Sequence, residues 1–124
     1  MKTEEFEKLL KELDGNSLET LTRKNARYGN EDRLHNFNAG GDIMGGTAAD
    51  AAWGYLTKHL VALRDMIQRD DFTDREDFLE KCQDSINYIR FIWCIGNERN
   101  KLRTSERCAC ASQSTGTNQT AIGW

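Results

Sequence analysis

Residues 80–95 constrain the fold most, because they place charged groups inside a segment that is otherwise apolar around most of a helix. At about 100° per residue, Glu80 and Asn87 fall within about 60° of Asp84, and Tyr88 covers the same side. The opposite side is apolar as well, so the segment predicts a helix without a plain solvent face. Burying ionised carboxylates without partners costs several kcal/mol. We therefore expect these acids to meet a basic side chain, a metal ion or another ligand.

The rest of the chain also indicates helices. Its 124 residues contain no proline, the strongest helix breaker, and its apolar residues follow helical spacing rather than strand alternation. This length allows one domain with a single modest core. We predict an all-α bundle of about four main helices over residues 1–103, followed by a polar, flexible tail over residues 104–124.

Capping and turn signals set the expected helix bounds. Thr47 and Asp50 have the spacing of a capping box, which predicts the start of the third helix. Residues 30–46 are rich in Asn and Gly, and we interpret them as a long loop. A short connector makes the last two helices antiparallel neighbours. The four helices are expected over residues 4–13, 16–28, 48–69 and 74–99.

Charge and hydropathy limit the partners. A net charge of −3 leaves no basic footprint, so duplex nucleic acid is not expected as a partner. The first residues lack the apolar core of a signal peptide, and no stretch reaches the length that spans a bilayer, which predicts a cytoplasmic protein without a membrane partner. Apolar surface on both sides of the fourth helix predicts a homodimer or a higher oligomer.

Two interpretations of the acids stay open at this point. Glu80 and Asp84 are four positions apart, so they lie on one helical face and can share a divalent cation such as Mg²⁺. Alternatively, they pair with Lys or Arg in a structural network. His59 flanks the apolar stripe of the third helix, where it could be a general base, a ligand or a packed, hydrogen-bonded residue.

Three segments resemble one family of phage and prophage proteins. Residues 24–29, Lys-Asn-Ala-Arg-Tyr-Gly, are similar to its K-N-x-x-Y-G segment, and the pair Asn36-Phe37 follows. Residues 57–66 resemble its K-H-x-V-S-x-x-D-M helix, and residues 80–88 resemble its D-x-x-x-D-x-x-N-Y helix. The family is the nucleotide-modification-associated domain 1 type, related to the all-α nucleoside triphosphate pyrophosphatases that include the MazG-like enzymes.

The resemblance extends over about residues 22–98 and implies a function. It implies a MazG-like, oligomeric protein that binds a nucleotide and hydrolyses it with Mg²⁺, releasing pyrophosphate. The metal-binding and catalytic acids would be Glu80, Asp84 and Asp65. The residues that would contact the nucleotide are Lys24, Asn25, Arg27, Tyr28, Lys58, His59, Asn87 and Tyr88.

Two departures from the family pattern leave alternatives to hydrolysis. The E-x-x-E pattern of MazG-type enzymes is absent from the third helix, where Asp65 is the best remaining acid, and Ala62 stands where relatives often carry Ser. One alternative is a non-catalytic phage protein that sequesters a nucleotide, such as a signalling molecule of host defence. The other is a helical interaction module without a small-molecule site, in which Glu80 and Asp84 pair with basic residues.

Overall fold

The protein is an all-α helical bundle. The computed structural model describes residues 1–15, 17–19, 21, 23 and 32–121, with side chains as far as residue 113. Its main elements are α1 (Thr3–Asp14), α2 (His35–Met44), α3 (Ala48–Arg69) and α4 (Arg75–Ala121), and this described part contains no strand. None of the helices described combines the length and the apolar composition that crossing a bilayer requires.

The bounds of α3 confirm the sequence prediction. Thr47 Oγ1 accepts a hydrogen bond from the Asp50 N–H at 3.2 Å, and the Asp50 carboxylate accepts one from the Thr47 N–H at 2.7 Å. These two bonds form the capping box that starts the helix. At the other end Asp70 adopts the left-handed conformation, with φ 50°, and its N–H donates to the Ile67 carbonyl at 3.2 Å. The left-handed residue ends the helix.

α2 corrects the prediction of a loop over residues 30–46. The Leu34 carbonyl accepts hydrogen bonds from the N–H groups of Phe37 and Asn38 at 3.0 and 2.9 Å, which starts the helix. Phe37 is only 6% exposed and packs against Ala52 and Ile95 in the core. Asn and Gly disfavour a helix locally. Tertiary burial of the Phe37 ring therefore stabilises an element that local propensity does not predict.

The core lies where α2 meets the antiparallel pair of α3 and α4. One residue from each helix forms its buried centre: Phe37, Ala52 and Ile95. Ala51 and Leu56 of α3 are buried beside them. These five are the buried apolar residues of the part of the chain that the structure describes.

α1 confirms the first predicted helix, although none of its residues is buried. It contacts α4 through polar groups near its C-terminal end. Both carboxylate oxygens of Glu12 accept hydrogen bonds from the Arg75 guanidinium, and the Leu13 carbonyl accepts one from Gln83 Nε2 at 3.1 Å. The second helix, expected over residues 16–28, falls mostly outside the described residues.

α4 is longer than the sequence predicts. The expected end at about Arg99 is wrong, because the helix continues through residue 103 to Ala121. Residues 96–113 are all exposed, so they add no core. A helix already formed needs no new nucleus to elongate, and no proline stops it. The flexibility expected for residues 104–124 stays a prediction.

Candidate functional site

Four aromatic side chains from three helices meet beside the core. Tyr55 and Tyr88 stack, with ring centroids 5.9 Å apart and an interplanar angle of 17°. Phe37 meets both tyrosines edge-on at 6.3 and 6.4 Å, and Phe91 tilts against Phe37 at 4.7 Å. Offset-stacked and edge-on arrangements are the favoured geometries for aromatic pairs. The cluster therefore forms an ordered aromatic wall.

A groove of about 430 Å³ opens along this wall. Arg33, just before α2, and Asn36, in its first turn, add polar groups to a lining that is mostly apolar. Small-molecule sites typically have volumes of about 300–1,000 Å³ and combine apolar walls with a few polar groups. We call this feature the aromatic groove, and it is lined by Arg33, Asn36, Phe37, Ala39, Gly40, Ile43, Tyr55, Tyr88 and Phe91.

Tyr88 connects the aromatic groove to the acids of α4. The His59 ring stacks on Tyr88, with centroids 5.2 Å apart and an angle of 27°. His59 Nδ1 lies 3.9 Å from Asp84 Oδ2, which is longer than a hydrogen bond. Burial raises the pKa of the Tyr88 hydroxyl, and Asp84 and Tyr55 raise it further. Tyr88 is therefore a neutral hydrogen-bond donor at physiological pH.

The acids predicted from the sequence share one face of α4 with a lysine. Lys81 Nζ donates to Asp77 Oδ1 at 2.9 Å. This hydrogen bond raises the pKa of Lys81, to which the charges of Asp77, Glu80 and Asp84 also contribute. We call these four residues the carboxylate face. Lys81 partly neutralises this face, and its ion pair is with Asp77.

The donor set limits what metal site this face can form. No group of three His, Cys, Asp or Glu side chains able to hold a metal ion occurs among the residues that the structure describes. Asp65 is not brought to Glu80 and Asp84 as a third ligand, and its Oδ1 accepts a hydrogen bond from Arg64 Nη2 at 3.0 Å. Mg²⁺ is commonly held by one or two carboxylates together with substrate phosphates. Glu80 and Asp84, four positions apart on α4, are two carboxylates of this kind.

Two of the remaining predicted contact residues, Lys58 and Asn87, lie on different helices, α3 and α4. Lys58 is exposed and lies about 100° around α3 from His59. Asn87 Oδ1 accepts a hydrogen bond from Arg90 Nη1 at 3.0 Å, and the same nitrogen donates to the buried Ser17 hydroxyl at 2.8 Å. Asn87 therefore helps to anchor the chain at Ser17. The other four residues fall outside the described part of the chain: Lys24, Asn25, Arg27 and Tyr28.

Sequence reasoning missed Tyr55 and Arg33. Tyr55 precedes His59 by four residues, just as Asp84 precedes Tyr88, so each pair shares one face of its helix. The antiparallel register that places His59 near Asp84 therefore also places Tyr55 on Tyr88. This equal spacing is the sequence feature from which the contact of Tyr55 with Tyr88 could have been predicted. Arg33 gave none, because it lies inside residues 30–46, for which the sequence predicts a loop.

No protein-family model, curated protein or solved structure matches this chain. The fold and the site define an all-α protein in which an aromatic groove adjoins a carboxylate face. Its relation to the MazG-like enzymes stays a prediction from the three sequence segments.

Proposed function

We propose that the protein binds a nucleotide and that the base lies in the aromatic groove. The observation that carries this proposal is the stack of Tyr55 on Tyr88 at the wall of the groove, where Tyr55 is 50% exposed. A base stacked on an aromatic side chain contributes about 1–3 kcal/mol, measured by alanine substitution. Asn36 supplies both a donor and an acceptor for a base edge, and the Arg33 guanidinium supplies donors only.

The carboxylate face bears on how a phosphate would be bound. A phosphate that leaves the groove past His59 meets Asp84 and Glu80, and like charges repel unless a cation lies between them. A Mg²⁺ bound by these two carboxylates and the phosphate would remove the repulsion and neutralise charge on a phosphate leaving group. His59, beside Asp84, and Lys81, beside Asp77, carry nitrogen donors that could contact the phosphate.

A second candidate function is Mg²⁺-dependent hydrolysis of a nucleoside triphosphate with release of pyrophosphate. The position of His59 Nδ1, 3.9 Å from Asp84 Oδ2, favours it. An imidazole that gains a hydrogen bond to such a carboxylate when the ligand binds would be oriented to accept a proton from an attacking water. Binding without turnover, as in a phage protein that sequesters a nucleotide signal, uses the same groove but needs neither His59 nor Mg²⁺ for chemistry.

A ligand panel with one matched pair of variants tests binding. The protein is mixed with nucleoside triphosphates and with cyclic nucleotides, with and without Mg²⁺, and its melting temperature is recorded, because a ligand of the folded state raises it by mass action. Tyr55→Ala should weaken the binding of the stabilising nucleotide by about 5- to 150-fold. Tyr55→Phe keeps the ring and should bind like the wild type. If no nucleotide stabilises the wild type, or if Tyr55→Ala binds as tightly, the proposal fails.

The same samples separate hydrolysis from sequestration. Pyrophosphate release that requires both Mg²⁺ and Asp84, tested with Asp84→Asn, supports hydrolysis. Binding with the nucleotide recovered intact supports sequestration. If Asp84→Asn changes stability but neither affinity nor turnover, the acids have only a structural role.

A further inference from the structure

The polar groups that line the aromatic groove are mostly hydrogen-bond donors. Arg33 has five N–H donors and no acceptor. Tyr88 keeps its hydroxyl proton, because burial and the charge of Asp84 raise its pKa. Asn36 brings an amide with both a donor and an acceptor. No Asp or Glu lines the groove within the part of the chain that the structure describes. A ligand edge rich in acceptors therefore suits this groove better than an edge rich in donors.

The turn before α2 holds Arg33 at the groove. The Asp32 carbonyl accepts a hydrogen bond from the His35 N–H at 3.2 Å, and the Asp32 carboxylate accepts one from the Leu34 N–H at 3.0 Å. These two bonds fix the backbone on both sides of Arg33. Its guanidinium has enough donors to serve a ligand edge as well as a partner within the protein. The Arg33 side chain is therefore held where it lines the same groove as the Phe37 ring.

Nucleotide bases differ in the acceptors that one edge presents. Guanine carries two neighbouring acceptors, O6 and N7, which a guanidinium contacts with two hydrogen bonds. Hypoxanthine has the same two atoms. Adenine carries an amino group in place of O6, and this group would meet the Arg33 donors with another donor. Uracil and thymine have O4 but lack the N7 acceptor beside it. A purine with an oxygen at position 6 is therefore the class of base that fits Arg33.

We propose that the base bound in the aromatic groove is a 6-oxopurine, guanine or hypoxanthine, and that Arg33 donates hydrogen bonds to its O6 and N7. This base preference rests on the proposed function, since it requires a nucleotide base in this groove. One face of the base stacks on Tyr55, which is 50% exposed at the wall. The N1–H and amino donors of guanine are then not read, which agrees with a described lining that has no carboxylate.

Asn36 favours a different base, so the two side chains make opposite predictions. An asparagine amide contacts adenine at N6 and N7 with two hydrogen bonds. Hydrogen bonds from a charged guanidinium are roughly twice as strong as those between neutral groups. Arg33 therefore outweighs Asn36 in the choice between guanine and adenine.

Nucleotides that differ at single positions of the base test the preference. Dissociation constants of the wild type are measured by isothermal titration calorimetry for GTP, ITP, ATP and 7-deaza-GTP. GTP and ITP should bind equally, and each should bind about 5- to 150-fold more tightly than ATP. 7-Deaza-GTP has a carbon in place of N7 and should bind more weakly than GTP. These measurements need no variant, so they decide the matter even where a variant does not fold.

Two matched arginine variants locate the contact. The glutamine amide of Arg33→Gln can pair with adenine, so this variant should lose the preference for GTP over ATP or reverse it. Arg64 is exposed on α3, is not among the residues that line the groove, and pairs with Asp65 at 3.0 Å. Arg64→Gln should therefore keep the preference of the wild type.

The outcomes separate this base preference from the proposed function. Binding that depends on Tyr55 but is as tight for ATP as for GTP leaves the proposed function standing and overturns the preference. So does an equal loss of GTP and ATP binding in Arg33→Gln, which would place Arg33 at the phosphate. A preference for ATP that Asn36→Ala removes assigns the base to Asn36 instead. If no nucleotide binds to the wild type, both proposals fail.

Discussion

Gly41 lies where α2 comes closest to the start of α3, and its replacement by alanine tests that contact. A Cβ at Gly41 would lie 2.5 Å from both the carbonyl carbon and the carbonyl oxygen of Thr47, and 2.9 Å from the Ala48 nitrogen. These are backbone atoms of the peptide that begins α3, so no side-chain rotation relieves the overlap. The Gly41 carbonyl also accepts a hydrogen bond from the Gly46 N–H at 2.8 Å, which fixes the connection between the helices.

Two opposing effects set the change that Gly41→Ala causes in the free energy of unfolding. Alanine is more favourable than glycine inside a helix by about 1 kcal/mol. Forcing an extra carbon into a close-packed site costs about 1–3 kcal/mol, and overlap with backbone atoms belongs at the upper end of that range. The expected net loss is about 1–2 kcal/mol in the free energy of unfolding. In a domain of this size, each kcal/mol lost from the free energy of unfolding lowers the melting temperature by about 3–6 °C.

Gly40→Ala is the matched control for this prediction. Its Cβ would lie 3.4 Å from the Ala51 Cβ, an ordinary van der Waals contact. It should therefore gain about 0.5–1 kcal/mol from helix propensity alone. Both variants are compared with the wild type by urea unfolding, followed by circular dichroism. Equal stability of Gly41→Ala and the wild type, or an equal loss in both variants, would refute the close approach of α2 to α3.

Two further predictions concern helix ends and pH. Thr47→Ala removes the cap of α3 and should lower the free energy of unfolding by about 1 kcal/mol, whereas Thr47→Ser should lose much less, as urea unfolding can show. The hydrogen bond from Arg75 lowers the pKa of Glu12, and those from Thr47 lower the pKa of Asp50, so both carboxylates stabilise the folded state at neutral pH. This stabilisation is complete above their ordinary pKa values of 4.5 and 3.8 and is lost as the pH falls through the lower folded values. Glu12→Gln should weaken the dependence of the unfolding free energy on pH between neutral and acidic solution, and an unchanged dependence would contradict the assignment.

Elements with local signals could be predicted from the sequence, and elements fixed by distant contacts could not. The start of α3 is encoded locally by Thr47 and Asp50. The side chain of each accepts a hydrogen bond from the backbone N–H of the other. α2 has no such signal, because the burial of Phe37 against Ala52 and Ile95 decides it. The predicted end of α4 is too early, because a polar composition alone does not stop a helix that has already formed.

The same distinction holds for the site. The acids on one face of α4 follow from helical spacing alone, so Glu80 and Asp84 could be singled out in advance. The aromatic groove depends on how α3 lies against α4 and on α2, where the sequence predicts a loop. No single segment contains that information. The spacing from Tyr55 to His59 equals the spacing from Asp84 to Tyr88. Only this match could have predicted that Tyr55 belongs to the site.

The attachment of α1 has a consequence for local stability. Phe6, Leu9 and Leu10 are 53%, 39% and 43% exposed, and the hydrogen bonds of Glu12 and Leu13 to α4 gather at the last turn. A segment with few buried contacts opens with a smaller free energy than the core. In hydrogen exchange the amides of α1 should therefore form a separate, weakly protected unit, whereas the central amides of α3 exchange only when the whole bundle unfolds. The amphipathic helix α1 can therefore detach and open locally, while the aromatic groove stays folded.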